Sequence, residues 1–173
     1  MDIPIKDQLY SDIQNNCRLK SGEDIPTFEQ VLERFSAEDI LLFVEFKDKP
    51  LPHTMQMMAE YYSLNPERLR PIAFKHEYLK LLQKQAKSNP WWKKVRMLDL
   101  QYFLPLPLSR FGIDVHFLAG PLTFIQKWRK KERAVWTVDK ETDMRKAFAH
   151  GIDYVTTNDP KLCLLLKASM PNE

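Results

Sequence analysis

The spacing of hydrophobic positions changes period repeatedly along the chain, and each change marks an element. Phe28, Val31, Leu32 and Phe35 recur at helical spacing. Pro26, then Thr27 with Gln30 three residues on, supply the capping-box start such a helix needs. The run 41–49, LLFVEFKDK, then alternates with period two. Leu42, Val44 and Phe46 share one face of a strand; Phe43, Glu45 and Lys47 share the other. Helical spacing returns at 55–64, where Met55, Met58, Ala59 and Tyr62 fall in register and the methionines read as packing. RPIAFK (70–75) is a short strand, and 76–87 is an amphipathic helix carrying Leu79, Leu82 and Gln83, stopped by Pro90.

Further strands are expected at 95–100 (VRMLDL), 114–118 (DVHFL), 134–138 (AVWTV) and 154–158 (YVTTN). Between them lie a helix opening at Pro121, a helix closed by Gly151, and a last helix from Pro160. Arg145, Lys146 and His150 sit toward the negative end of the second of these. The proline-rich YFLPLPLSRFG (102–112) reads as a loop exposed enough to lay apolar residues on another surface. Residues 1–24 hold no sustained period and read as a loop-rich lead-in with at most a short helix. Six strands alternating with helices or crossover loops describe an α/β chain with a parallel sheet. An open doubly wound sheet and part of a (β/α)8 barrel both give this order, and periodicity does not separate them.

The length of 173 residues fits one domain, and 44% hydrophobic with 28% charged residues is enough to build a core. Only four glycines are present, and neither GxGxxG nor GxxxxGK[ST] occurs, so nucleotide binding by those loops is unsupported. A net charge of +3 is too weak to argue for nucleic acid, while permitting loose contact with an anionic membrane surface. Cys17 and Cys163 have no metal-ligand spacing and read as two thiols in a reducing compartment rather than a disulfide. The first residues lack a signal-peptide pattern, and no apolar run approaches the roughly 20 residues of a transmembrane helix. The expected location is cytoplasmic or peripheral to an intracellular membrane.

Candidate chemistry centres on Glu45 and Lys47. Two residues apart on one side of a strand, their attachment points lie roughly 7 Å apart. A carboxylate and an ammonium on an otherwise buried strand need a partner. That partner is either each other, as a self-neutralising ion pair, or a ligand, as a metal-binding carboxylate beside a phosphate-binding lysine. The stretch alone leaves both readings open.

Three motifs extend the picture. Residues 25–32, IPTFEQVL, are similar to an IPTLEEVL helix start. Val44-Glu45-Phe46-Lys47 is similar to a strand ending in Glu-x-Lys. AVWTVD (134–139) with GIDYVTTNDP (151–160) is similar to a WTVN…GVDgIiTDxP ending. In this order and spacing the chain resembles the glycerophosphodiester phosphodiesterase family from about Ile25 onward. From Arg70 to Leu118 the match is mainly one of pattern, with Ala73 in place of a serine. The resemblance implies a (β/α)8 barrel whose third to eighth strands are these six. The family's first strand (His-Arg-Gly) and second (Glu-x-Asp, then His-Asp) have no counterpart, and a full barrel needs around 250 residues. Residues 1–173 are therefore expected to form a single partial domain, an incomplete TIM barrel.

The activity implied is phosphoric diester hydrolysis of glycerol-linked phosphodiesters, either water-soluble deacylated phospholipids or lysophospholipids, assisted by Mg²⁺ or Ca²⁺. Glu45 matches the third-strand metal ligand and Lys47 the residue that contacts phosphate. Trp136 matches a tryptophan near the site mouth that packs on the alcohol part of the substrate, a core aromatic being the other reading. Phe74 reads as core, and Asn158 stands where the family usually has aspartate. The histidines do not supply the family's acid–base pair: His76 and His150 fall on helices, His53 in a loop and His116 in a strand. No catalytic residue is assigned, and the chain on its own is expected to be inactive. The alternative is a non-catalytic partial barrel that binds a phosphoester or a protein partner. Turnover by these residues alone would mean that other residues, such as His116 with Asp99 or Asp114, had taken over the site.

Overall fold

The computed structural model describes residues 5–102, 111–116 and 130–170. A 3-10 turn at Ile5–Asp7 and helix α1 (Tyr10–Asn16) form the lead-in. Next come α2 (Phe28–Phe35), β1 (Leu42–Glu45), α3 (Pro52–Tyr61) and β2 (Leu69–Ala73). They are followed by α4 (His76–Gln85), α5 (Pro90–Lys94), β3 (Leu98–Gln101) and β4 (Gly112–His116). The chain ends with β5 (Arg133–Trp136), α6 (Glu141–Ala149), β6 (Tyr154–Val155) and α7 (Pro160–Ala168).

All six strands are parallel and lie in sequence order, β1 to β6. Outward positions pack on helices. Leu42, Leu69 and Ala73 meet Leu32, Met55, Ala59, Leu79 and Leu82 in one apolar cluster, with Val44 and Phe46 against it. Ile113, Val115 and Val135 meet Met144, Ala147 and Leu166 in a second. The alternation expected in β1 therefore holds.

The inward face is curled. The rings of Phe43 on β1 and Tyr154 on β6 meet edge to face at 5.1 Å, although these strands stand at opposite ends of the sheet order. Each pairs on one side only among the described strands. Six parallel strands in order, curled, with helices outside, make an incomplete (β/α)8 barrel rather than a doubly wound sheet.

Local sequence sets the helix starts. Thr27 Oγ1 accepts from the Gln30 N–H at 3.1 Å, while Gln30 Oε1 accepts from the Thr27 N–H at 2.8 Å, completing the capping box. Gly151, at φ +61°, closes α6 as expected. Gly112 has a steric reason instead. A Cβ there would lie 2.7 Å from the Glu132 carbonyl oxygen, which the neighbouring Ile113 N–H uses to start the β4–β5 ladder.

The structure differs from the sequence reading at several points. Pro90 is the first residue of α5, not merely a stop: the Asn89 side chain accepts from the Trp91 N–H at 2.9 Å, and the helix buries Trp92. His53 lies in α3 rather than in a loop, because Pro52 starts that helix one residue earlier. The strand expected at 154–158 is only two residues long, since Asn158 and Asp159 turn into the cap of α7. Most of the proline-rich loop and the helix expected from Pro121 lie outside the described residues. Cys17 and Cys163 are both free. Among the described residues, no helix is long and apolar enough to cross a membrane.

The barrel floor, at the N-terminal ends of the strands, is polar. Glu132 Oε1 accepts from Arg70 Nη2, Arg96 Nη1 and the Tyr154 hydroxyl, each at 3.0 Å. Arg70 Nε lies 2.9 Å from Oε2, close enough for charge attraction but without hydrogen-bond alignment. Burial and the Glu132 charge push the Tyr154 hydroxyl above its ordinary pKa. This cluster closes the end opposite the candidate site.

Candidate active site at the C-terminal ends of the strands

In a parallel barrel, side chains at the C-terminal ends of the strands converge on one opening. Here that opening is a cavity of about 340 Å³, walled by residues of all six strands or the turns that follow them. Glu45 and Lys47 come from the end of β1, and Ile72 and Phe74 from β2. Leu100 and Tyr102 come from β3, Asp114 from β4, Trp136 and Thr137 from β5, and Thr156 from beyond β6. The three residues assigned from sequence, Glu45, Lys47 and Trp136, thus share one cavity although more than 80 positions separate the first from the last.

Lys47 Nζ donates to Glu45 Oε1 at 2.5 Å. The ion-pair reading of the two residues is what the structure holds, but the pair also faces the cavity. The lysine is 76% exposed and the glutamate 28%. An exposed lysine on a flexible stem gains little from such a pair, on the order of 0–1 kcal/mol, so an incoming anion can compete for it.

Trp136 belongs to an aromatic wall. Phe74 and Tyr102 stack with centroids 4.6 Å apart, and Trp136 stands edge-on to both, at 5.8 and 5.4 Å. Its indole Nε1 is buried and has no hydrogen-bond partner among the described residues. Phe74 is 38% exposed and lines the opening, which corrects its reading as core. The strand it follows ends at Ala73, so its ring stands on the rim rather than between sheet and helix.

Asp114 is the least expected wall. It is 2% exposed, and its Oδ1 has no hydrogen-bond partner among the described residues. Burial, with a smaller contribution from the Glu45 charge, pushes its carboxyl up to about 7. The sequence named Asp114 and Asp99 together, but the structure separates them. Asp99 faces the helical layer, where Oδ2 meets His76 Nδ1 at 3.0 Å and accepts from Gln101 Nε2 at 3.1 Å. The signal for Asp114 was available: Gly112, Asp114 and His116 alternate inward as Phe43, Glu45 and Lys47 do.

The other candidates are not among the described residues that line the cavity. His116 stands edge-on to Trp136 at 5.6 Å and is not among the lining residues. His53, His76 and His150 belong to the helical layer. Asn158 donates through its backbone N–H and Nδ2 to Asp139, at 2.8 and 3.0 Å. Those two bonds, with Thr157, hold the Asp139 carboxyl below its ordinary pKa. Asp159 caps α7 by accepting from the Leu162 N–H at 3.0 Å. Asn158, at the aspartate position of the resemblance, and its neighbour Asp159 therefore both have structural partners.

A hard divalent cation needs oxygen donors, and Mg²⁺ is commonly held by one or two carboxylates with water completing its shell. Glu45 and the orphaned Asp114 oxygen meet that minimum, and among the described lining residues no cysteine or histidine would favour a softer metal. Among the described residues, no group of three or more acidic, histidine or cysteine side chains converges.

Comparison with known proteins bears on the fold. No family model matches the chain, and neither does any curated protein sequence. Solved structures do match. The chain is similar to a glycerophosphodiester phosphodiesterase from Parabacteroides distasonis, with a TM-score of 0.73 and 24% identity, over 92% of this chain and 71% of that one. It is also similar to an Oleispira antarctica phosphodiesterase solved with the product sn-glycerol-3-phosphate. There the TM-score is 0.64 and the identity 16%, over 84% of this chain and 62% of that one. The fold is thus the one found in glycerophosphodiester phosphodiesterases, and the chain spans only part of their length.

Proposed function

We propose that this chain is a partial barrel of the glycerophosphodiester phosphodiesterase type, and that its cavity takes a glycerol-linked phosphodiester. The observation that carries the reading is the convergence of Glu45, Lys47 and Trp136 in one cavity at the C-terminal ends of parallel strands. Lys47 offers an exposed ammonium to a phosphate oxygen. Glu45 offers a carboxylate for Mg²⁺ or Ca²⁺, which when bound would neutralise phosphate oxygens and orient an attacking hydroxyl or water. Trp136, with Phe74 and Tyr102, offers an apolar wall for the alcohol part, whether glycerol or the chain of a lysophospholipid. The exposed Phe74 and Tyr102 rings also suit contact with a membrane surface at this rim, in keeping with a cytoplasmic or peripheral location.

The reaction needs one group to take a proton and another to give one. Among the described residues that line the cavity there is no histidine. Each missing general catalyst costs about 10²–10⁴-fold in rate. The 173 residues are therefore expected to bind without measurable turnover. The same observation favours a second reading, a non-catalytic partial barrel that holds a phosphoester or protein partner. The test is release of alcohol from glycerophosphocholine and lysophosphatidylcholine, with and without Mg²⁺ or Ca²⁺. No release is expected, and metal-dependent hydrolysis lost in Glu45→Ala would show that these residues suffice for catalysis.

A further inference from the structure

We propose that Asp114 is a second oxygen ligand in the cavity, and that with Glu45 it takes a hard divalent cation whose remaining positions are filled by water. The inference rests on the reading of Glu45 as a ligand but concerns a residue that no motif assigns.

A buried carboxylate without a hydrogen bond is costly, and native proteins rarely keep one without a partner. Asp114 lies almost wholly out of solvent, and Oδ1 lacks a partner among the described residues. Among the described residues lining the cavity, Lys47 is the one cation, and its ammonium already sits on Glu45. The arginines of the floor are engaged elsewhere. Arg70 and Arg96 meet Glu132, while Arg133 donates to the backbone carbonyls of His150 and Gly151. Among the described residues, nothing on the protein side therefore answers the Asp114 carboxyl group.

Two acidic side chains from different parts of the sheet, β1 and β4, thus share one cavity with a single lysine among its described lining residues. A cation between them would give the orphaned oxygen a partner. The volume of about 340 Å³ leaves room for several waters, each occupying roughly 30 Å³. Partial hydration with one or two carboxylates is how Mg²⁺ is commonly held, and Ca²⁺ accepts the same donors with more waters.

The test uses Tb³⁺ as a luminescent substitute for Ca²⁺, excited through the indole of Trp136, which lines the same cavity. The 173-residue chain is expected to give sensitised emission that Ca²⁺ or Mg²⁺ displaces. Asp114→Asn and Glu45→Gln should each weaken Tb³⁺ at least ~10-fold. A thermal melt checks that each variant folds and adds a second readout: millimolar Ca²⁺ should raise the Tm of the parent chain but not that of Asp114→Asn. If Asp114→Asn binds Tb³⁺ as the parent does while Glu45→Gln loses it, the Asp114 proposal falls and the Glu45 reading stands. If no sensitised emission appears, or both variants match the parent, the two fall together.

Discussion

Replacing Glu132 with alanine is expected to cost the fold about 3–5 kcal/mol, the range for removing one partner of a buried ion pair. Arg70 is only 6% exposed at its side chain and Glu132 14%, so the guanidinium could not recover its losses from water. The Tyr154 hydroxyl would lose its acceptor in the same step, loosening β6 at the floor. Arg96→Ala removes the other arginine of the cluster, whose side chain is 68% exposed, and should cost no more than about 1 kcal/mol. Urea midpoints of the two variants check the contrast. Equal losses would mean that burial of Arg70 and Glu132 adds nothing to the strength of the cluster.

The second large effect is the pH dependence of stability through Asp114. Its carboxyl holds its proton up to about pH 7 in the folded chain, against an ordinary value of 3.8. Between those values the folded state binds more protons than the unfolded state, so stability falls as pH rises. The contribution is full below about pH 4 and is lost as pH climbs through 7. Its order of magnitude is about 4 kcal/mol at most. Asp114→Asn keeps the shape and removes the charge. In metal-free buffer the variant should gain on the parent steadily from pH 5 to pH 8, as read by denaturant midpoints. Parallel curves for the two proteins would show that Asp114 ionises without strain.

Much of the architecture is readable from period alone because the inward and outward faces of β1 differ so sharply. Leu42, Val44 and Phe46 go to the helical layer, and Phe43, Glu45 and Lys47 go inward. Barrel against open sheet is a different matter. That distinction lies in how the sheet curls, which no local spacing encodes and which the Phe43–Tyr154 contact shows. Phe74 was misread because an aromatic just past a strand end looks like one within it. Asp114 was undervalued because a single aspartate in a strand carries no spacing rule. Its environment is assembled from β1, β3 and β5, which only the folded chain brings together. The Asn89-Pro90 start of α5 shows the reverse failure: the signal was local, but proline was read only as a stop.

The central claim is that the cavity at the strand ends binds a phosphoester through Lys47. Calorimetric titration of the chain with sn-glycerol 3-phosphate in the presence of Mg²⁺ tests it most directly. Hydrogen bonds to charged groups contribute about 1.5–3 kcal/mol, so Lys47→Ala should weaken binding roughly 10–100-fold. Lys93→Ala, on the floor side, should leave it unchanged. The account predicts one-to-one binding that collapses in the Lys47 variant; no binding by the parent chain, or equal affinity in both variants, would contradict it.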